Sequence, residues 1–426
     1  MMALGMFLGA LVLLLVGIPV AFVFGAVSIL FALVSPLGLE VFNVLPFRMY
    51  GIMSNTTLMA VPLFIAMGLI LEKSQMAERL LLSMSALFRS VRGGLAISVV
   101  LVGAMLAAST GIVSASVVMM SVIALPLMIR AGYDKGLASG TVAASGTLGQ
   151  IIPPSIILII LGDVMSVSVG DLFKGAILPG LVLVGLYLAY ILLFGILRPE
   201  KLPVQHSEER VSLAETLVAI VPPLLLMVAV LGSIFAGIAS PTESAAFGVL
   251  GAIVLSAVNR SLDRQMLTYA AFETVKLSGM IFMILFGATA FSLVFNELGG
   301  TDLVVEFFSH DIGEVWIFIG VAMLSIFILG FFIDFIEISF IIVPILVPVM
   351  HAFGIDPIWF AVLIALNLQA SFLTPPFGLA LFFLKGASHN LVSTLEIYRG
   401  IVPFIILQLI ALGIVVLFPD LVFALL

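Results

Sequence analysis

The chain has 426 residues, 63% of them apolar and 9% charged, a balance that excludes an ordinary soluble domain, where about a quarter of residues carry charge. A net charge of −7 strewn over short loops offers no basic face to nucleic acid, and the absence of cysteine removes disulfides, thiol nucleophiles and cysteine metal clusters. The four histidines, His206, His310, His351 and His389, are scattered and form no metal-binding pair.

A membrane span needs about 20 apolar residues, and segments of that kind fill the chain from end to end. The first, "MMALGMFLGALVLLLVGIPVAF", has no Lys or Arg before Arg48, so it lacks the basic leader of a cleavable signal and reads as a retained span over 3–35. Further spans are expected at 56–72, 137–162, 175–197, 213–238, 242–258, 277–296, 358–384 and 401–425. Two longer apolar blocks, about 94–129 and 315–350, remain. Glu72–Arg92 and Val258–Lys276 alternate charge with apolar faces at helical spacing, and read as helices along the inner interface. "RPEKLPVQHSEERVS" (198–212) is the most polar run and reads as a solvated linker. Trp316 and Trp359 flank the second long block, as interfacial anchors would.

Lys and Arg accumulate in cytoplasmic loops. With the N-terminus inside, and each long block leaving on the side it entered, 14 of the 16 basic residues fall inside and only Arg48 and Lys174 outside. The acidic connection 297–314, with no Lys or Arg, then lies outside and the C-terminus is periplasmic. The long blocks suit half-depth helical hairpins, with midpoints at "AASTGIVSAS" (Ala107–Ser116) and "GFFIDFIEIS" (Gly330–Ser339). Two ordinary spans joined by a tight turn give the same arithmetic.

A repeat shifts that balance. Displacing the chain by 222 positions aligns Pro126 with Pro348, Met128 with Met350, Gly132 with Gly354, Asp134 with Asp356, and Pro153-Pro154 with Pro375-Pro376. The two copies enter the membrane from opposite sides, the inverted repeat of secondary transporters, whose sites form at broken helices near the midplane. The division is 1–197, a linker at 198–212, and 213–426. Prolines free the carbonyls before them, and Gly146 and Gly149 permit the turn. Non-helical backbone survives at membrane depth where it is buried or lines a cavity. Each break, "SGTLGQIIPPS" and "SFLTPPFG", therefore reads as a cage of neutral oxygens for a small cation.

"TVAASGTLGQIIPPSIILIILG", "NLQASFLTPPFGLALF", "AVPLFIAMG" and "ASPTESAAFG" together resemble the large membrane subunit of tripartite ATP-independent periplasmic (TRAP) transporters, in the family's order and over essentially the whole chain. The resemblance implies an all-α polytopic fold of the elevator-type ion-transporter superfamily, with two re-entrant hairpins and two broken helices. It implies a transport domain, here about 94–162 and 315–386, sliding against a scaffold. It implies two or more coupling sodium ions and no other cofactor. Its implied partners are a small four-helix membrane subunit and a periplasmic protein that delivers an organic acid at the inner membrane.

By the family pattern, one sodium matches Ser109, Thr110, Gly149, Ile152 and Pro154, and the second matches Gly330, Ser371, Thr374 and Phe377. Substrate would reach Ser109, Asp334 and Asn367. Asp334 matches an acidic position of the family; its role stays open between contacting substrate, fixing the hairpin tip and strengthening cation binding. Glu337 departs from the pattern and is either a paired or snorkelling residue at the hairpin mouth or a substrate contact of a subfamily. A membrane enzyme would need a nucleophile–base or metal constellation, and a channel a pore-lining repeat; neither is apparent. A one-component carboxylate or ion carrier of the same superfamily is the rival within transporters.

Overall fold

The computed structural model describes residues 1–74, 76–111, 113–203, 213–308 and 313–426, with the backbone alone for 107–110 and 213–215. Among these the chain is entirely helical. Apolar helices satisfy every backbone group within one segment, which is what hydrocarbon demands.

Helices α1 (Met2–Leu15) and α2 (Val20–Val34) are followed by the short α3 (Leu45–Met53). Next come α4 (Ala60–Lys73) and α5 (Met76–Leu87), which turn through 61° relative to one another. The first long block is a helical pair, α6 (Gly94–Thr110) and α7 (Val113–Arg130). The first broken helix follows as α8 (Lys135–Thr147) and α9 (Ile156–Val164), and then α10 (Val169–Leu197). The second half opens with α11 (Leu213–Phe235), α12 (Pro241–Val258), α13 (Arg264–Glu297) and α14 (Gly300–Glu306). Its long block is α15 (Val315–Leu329), the single turn α16 (Phe335–Glu337) and α17 (Val343–Ala352), with a π-helical turn at Ile338–Ile342 between the last two. The second broken helix is α18 (Pro357–Leu373) and α19 (Leu379–Ala387), followed by α20 (Thr394–Leu417) and α21 (Asp420–Phe423). Seven described helices are long and apolar enough to cross a membrane.

The 222-residue repeat is visible in the coordinates. Asp134 and Asp356 both cap the helix they precede: Asp134 Oδ1 accepts from Leu137 N at 3.0 Å, Asp356 Oδ1 from Ile358 N at 2.8 Å. Their upstream partners Gly132 and Gly354 both take positive φ, +83° and +65°, the left-handed turn that favours glycine. Pro153-Pro154 and Pro375-Pro376 are both cis. Gln369 Nε2 donates to Thr147 Oγ1 at 3.4 Å, and these two residues are themselves 222 apart. A residue bonded to its own repeat equivalent sits on the pseudo-twofold axis, so α8 and α18 meet there.

Two packed bodies emerge. In the first, both hairpins and both broken helices share one core, and α10 and α20, which the sequence reading leaves with the remainder, pack on the broken helices. Small residues let α8 and α20 approach backbone to backbone: a methyl group on Gly136, Gly140 or Gly400 would meet the facing chain. The second body is built from α1, α2, α4, α5, α11, α12 and α13. Gly248 of α12 faces Met67 of α4, and Phe24 of α2 meets Phe291 of α13 at 5.2 Å.

Three expectations change. The single span over 3–35 is a helical hairpin: the chain turns at Gly17 (φ +89°), and Gly5 lies back against Phe31. Ala3 and Leu4 consequently share a groove with Gly300, Leu303 and Val304. The N-terminus thus lies beside the start of the 297–314 connection. Val258–Lys276 and 277–296 are not separate helices either, because α13 runs unbroken for 34 residues, about 50 Å at 1.5 Å per residue. The connection 297–314 contains α14 rather than loop alone. Of the linker 198–212, residues 204–212 lie outside the described residues.

Candidate functional site

Each hairpin tip meets the break of the broken helix in its own repeat. Gly111, at the first tip, has φ +59°, and a Cβ there would stand 2.9 Å from Ile156 Cγ1, the first helical residue after the first break. At the second tip a Cβ on Gly330 would overlap Ser371 Oγ, just before the second break. Only glycine allows these approaches, and both bring the backbone of a tip against a residue that flanks a break.

The first break consists of a 3-10 turn, Leu148–Gln150, followed by non-helical backbone to Ser155. Ser155 Oγ spans it, donating to Gln150 O at 2.7 Å. Gly149, Ile152 and Pro154 all lie in this stretch. The side chains of Ser109 and Thr110 lie outside the described residues; their backbone is the last turn of α6. In the second break, Thr374 leaves the helix in an extended conformation, and its N–H donates to Ser371 O at 3.0 Å. Gly378 closes the turn, donating to Thr374 O at 3.0 Å, where a Cβ would lie 2.6 Å from Phe372 O. Ser371 Oγ and Thr374 Oγ1 donate to Leu368 O and Ala370 O, both at 2.8 Å. Their lone pairs remain available to a cation. Gly330, Ser371 and Thr374 are therefore neighbours, and Phe377 stands at the rim with its ring 5.0 Å from that of Phe332. Neutral carbonyl and hydroxyl oxygens suit a hard cation.

Between the tips lies a cavity of about 90 Å³ whose walls come from both bodies. The first body contributes Ser114, Ile156, Asp334 and Phe372; the second contributes Ile65 and Met280. Asp334 caps the turn α16, its Oδ1 accepting from Phe335 N at 2.7 Å. That places the acid at the tip, facing the cavity. Asn367 does not line the cavity: it is 2% exposed, and its Nδ2 donates to Met323 O at 2.7 Å, tying α18 to the first arm of the second hairpin. Sequence reasoning missed Ser114, one small hydroxyl among several near the first tip. It also missed Gln150, whose buried amide has no described partner beside the break.

Basic residues far apart in sequence converge at helix ends. Lys135, Arg198, Lys201 and Arg399 share a groove with Asp134 and Glu396. Asp134 loses solvent there, but hydrogen bonds from Leu137 N and from Lys201, at 3.1 Å, outweigh that and hold its carboxyl below the usual range. Lys73, Arg79 and Arg260 gather at a second groove, with Lys73 over the Tyr269 ring at 4.6 Å.

The chain is similar to known proteins in sequence and in fold. Residues 7–421 match the family described as the DctM component of the tripartite ATP-independent periplasmic transporter. The C4-dicarboxylate TRAP transporter large permease protein DctM of Pseudomonas aeruginosa is 33% identical, covering 88% of this chain and 87% of that protein. The ectoine large permease TeaC of Halomonas elongata is 29% identical, over 96% of this chain and 95% of its own. The sialic acid large permease SiaM of Vibrio cholerae is 29% identical, over 98% and 96%. The fold matches the crystal structure of the YdaH transporter of Alcanivorax borkumensis with a TM-score of 0.66, at 15% identity and 99% coverage of both chains. With two tips seated on two breaks and a family match over nearly its whole length, this multi-pass membrane protein belongs to the DctM family, the large permease component of TRAP transporters.

Proposed function

We propose that the chain carries a small organic acid inward across the inner membrane, driven by sodium ions bound where each hairpin tip meets a break. The observation that carries this reading is the paired tip–break geometry, Gly111 on Ile156 and Gly330 beside Ser371. The residues assigned to each junction are neutral, hydroxyls and main-chain carbonyls, which favours a monovalent cation that enters and leaves over one held permanently. Relatives named for C4-dicarboxylates, ectoine and sialic acid support a small organic substrate. In this reading substrate occupies the cavity between Asp334 and the first tip, with Ser114 on the opposite side, and Ser109 is a contact that the family resemblance implies.

The body holding both hairpins, both broken helices, α10 and α20 slides as an elevator against the body built around α4, α12 and α13. A periplasmic binding protein delivers the substrate, and a small four-helix membrane subunit flanks the static body. The two basic grooves face the cytoplasm, since Lys and Arg accumulate there. The N-terminus, which shares a face with Gly300, is then periplasmic, as is the C-terminus.

The test is uptake by the assembled transporter in proteoliposomes, using the acid that its cognate binding protein captures. We expect uptake to need an inward sodium gradient. Thr374→Ala removes one oxygen ligand, and should raise the sodium concentration for half-maximal uptake roughly tenfold, the equivalent of about 1.4 kcal/mol. Gly149→Val forces a β-branched residue into the break and should do at least as much. Undiminished uptake in sodium-free buffer would reject sodium coupling, and undiminished uptake without the binding protein would favour a one-component carrier.

A further inference from the structure

Glu337 forms no ion pair among the described residues, although the backbone N–H groups of Asp334 and of Glu337 itself donate toward its carboxylate. It is 6% exposed, one helical turn after Asp334 and on the same face of the second hairpin tip. Its Oε2 has no hydrogen-bond partner among the described residues. The sequence contains no Lys or Arg between Lys276 and Lys385, so neither the hairpin nor α18 can supply a counter-cation.

The elements packed around the tip supply none either. The one charged residue of α9, Asp163, lies at its far end and accepts a hydrogen bond from Asn55. On α13, Lys276 is exposed and pairs with Glu273 at 3.4 Å. Lys385, at the end of α19, donates to Val392 O at 2.9 Å. His351 lies at the far end of α17, and α15 has no titratable residue. Among the described residues the one charge within a turn of Glu337 along its own hairpin is the like charge of Asp334, which itself lines the cavity.

A carboxylate buried in a membrane without a partner costs several kcal/mol, and a second carboxylate beside it adds to the cost. Two acids at one dry site avoid this by sharing a single proton. We propose that Glu337 is a proton-binding site at the tip of the second hairpin: Oε2 carries a proton at neutral pH, leaving the pair with one negative charge rather than two. The proton comes from water when the tip is exposed, and it returns to water on whichever side the tip next opens. The site shares no residue with Gly330, Ser371 and Thr374, and it stands whether or not sodium drives transport.

Infrared difference spectroscopy on the purified full chain decides this without a transported substrate. In sodium-free buffer at pH 7, wild type minus Glu337→Gln should contain the C=O stretch of a protonated carboxylic acid, shifted in deuterium oxide. The band should vanish as pH is raised. If Glu337→Gln fails to fold, the pH titration of wild type and of Glu337→Asp, which should retain the band at an altered position, decides instead. Carboxylate bands alone at pH 7 would overturn the proposal. Loss of the acid band on adding sodium chloride at constant pH would overturn it in favour of sodium as the occupant.

Discussion

Gly400 has no room for a methyl group. Where α20 crosses α8, a Cβ at Gly400 would overlap the carbonyl of Gly136, and one at Gly140 would overlap the carbonyl of Gly400. Helices in lipid gain little from hiding apolar surface, because the surroundings are equally apolar, so close backbone approach supplies the packing instead. Gly400→Ala should therefore push the helices apart and cost about 1–3 kcal/mol, lowering the melting temperature of the purified protein. Gly413→Ala is the control, since nothing lies within 4 Å of a Cβ there. Equal melting temperatures for the two variants would show that the crossing tolerates expansion. This contact was not legible in the sequence. Gly136 and Gly140 stand four apart, as close-packing glycines do, but their partner is 260 residues away and outside the repeat register. The breaks were legible, because proline and glycine act on their own backbone wherever the chain goes.

At the scale of elements, periodicity and length located nearly every helix, and the errors share a cause. Segment 3–35 is apolar enough and long enough for one span, and hydropathy does not distinguish a span from two short helices folded against each other. The deciding residues were Gly17 and Pro19, present in the sequence but set in a continuous apolar run. Likewise the polar stretch up to Lys276 suggested a separate interfacial helix, yet no proline or glycine interrupts α13 between Arg264 and Ser278, so the helix continues. The folded N-terminal pair has a topological consequence. Cysteine can be introduced cleanly, because the native chain has none. Cysteines at Met2 and at Asp302, both exposed, should react with a membrane-impermeant thiol reagent from the same side. A single span over 3–35 would instead put them on opposite sides, so labelling Met2→Cys only in inverted vesicles and Asp302→Cys only in intact cells would refute the hairpin.

For the molecule as a whole, sequence symmetry foretold the inverted repeat, while the division into bodies depended on which helices touch. The repeat register made the Thr147–Gln369 contact at the axis possible, and the charge map gave an expected orientation for the loops. Neither said that α10 and α20 ride on the broken helices. The boundary between the bodies is the surface along which an elevator must slip, and it is crossed by a specific contact. Asn55 Nδ2 donates to Asp163 Oδ1, from the turn before α4 to the last turn of α9. Both ends are held. Asn55 Oδ1 accepts from Thr57 N at 2.9 Å, and the adjacent Thr56 O accepts from Thr242 Oγ1 at 2.5 Å, locking this turn to α12. Asp163 belongs to α9, whose buried face packs in the other body. A slide of more than a few ångströms must therefore break the Asn55–Asp163 bond, so a covalent link in its place should stop transport. Paired cysteines, Asn55→Cys with Asp163→Cys, should give full uptake when reduced, lose nearly all of it when oxidised, and recover with dithiothreitol. Asn55→Ala alone should leave the elevator free to move. Undiminished uptake by fully cross-linked protein would mean that the two bodies do not slide past each other here, and that access alternates by hairpin movement alone.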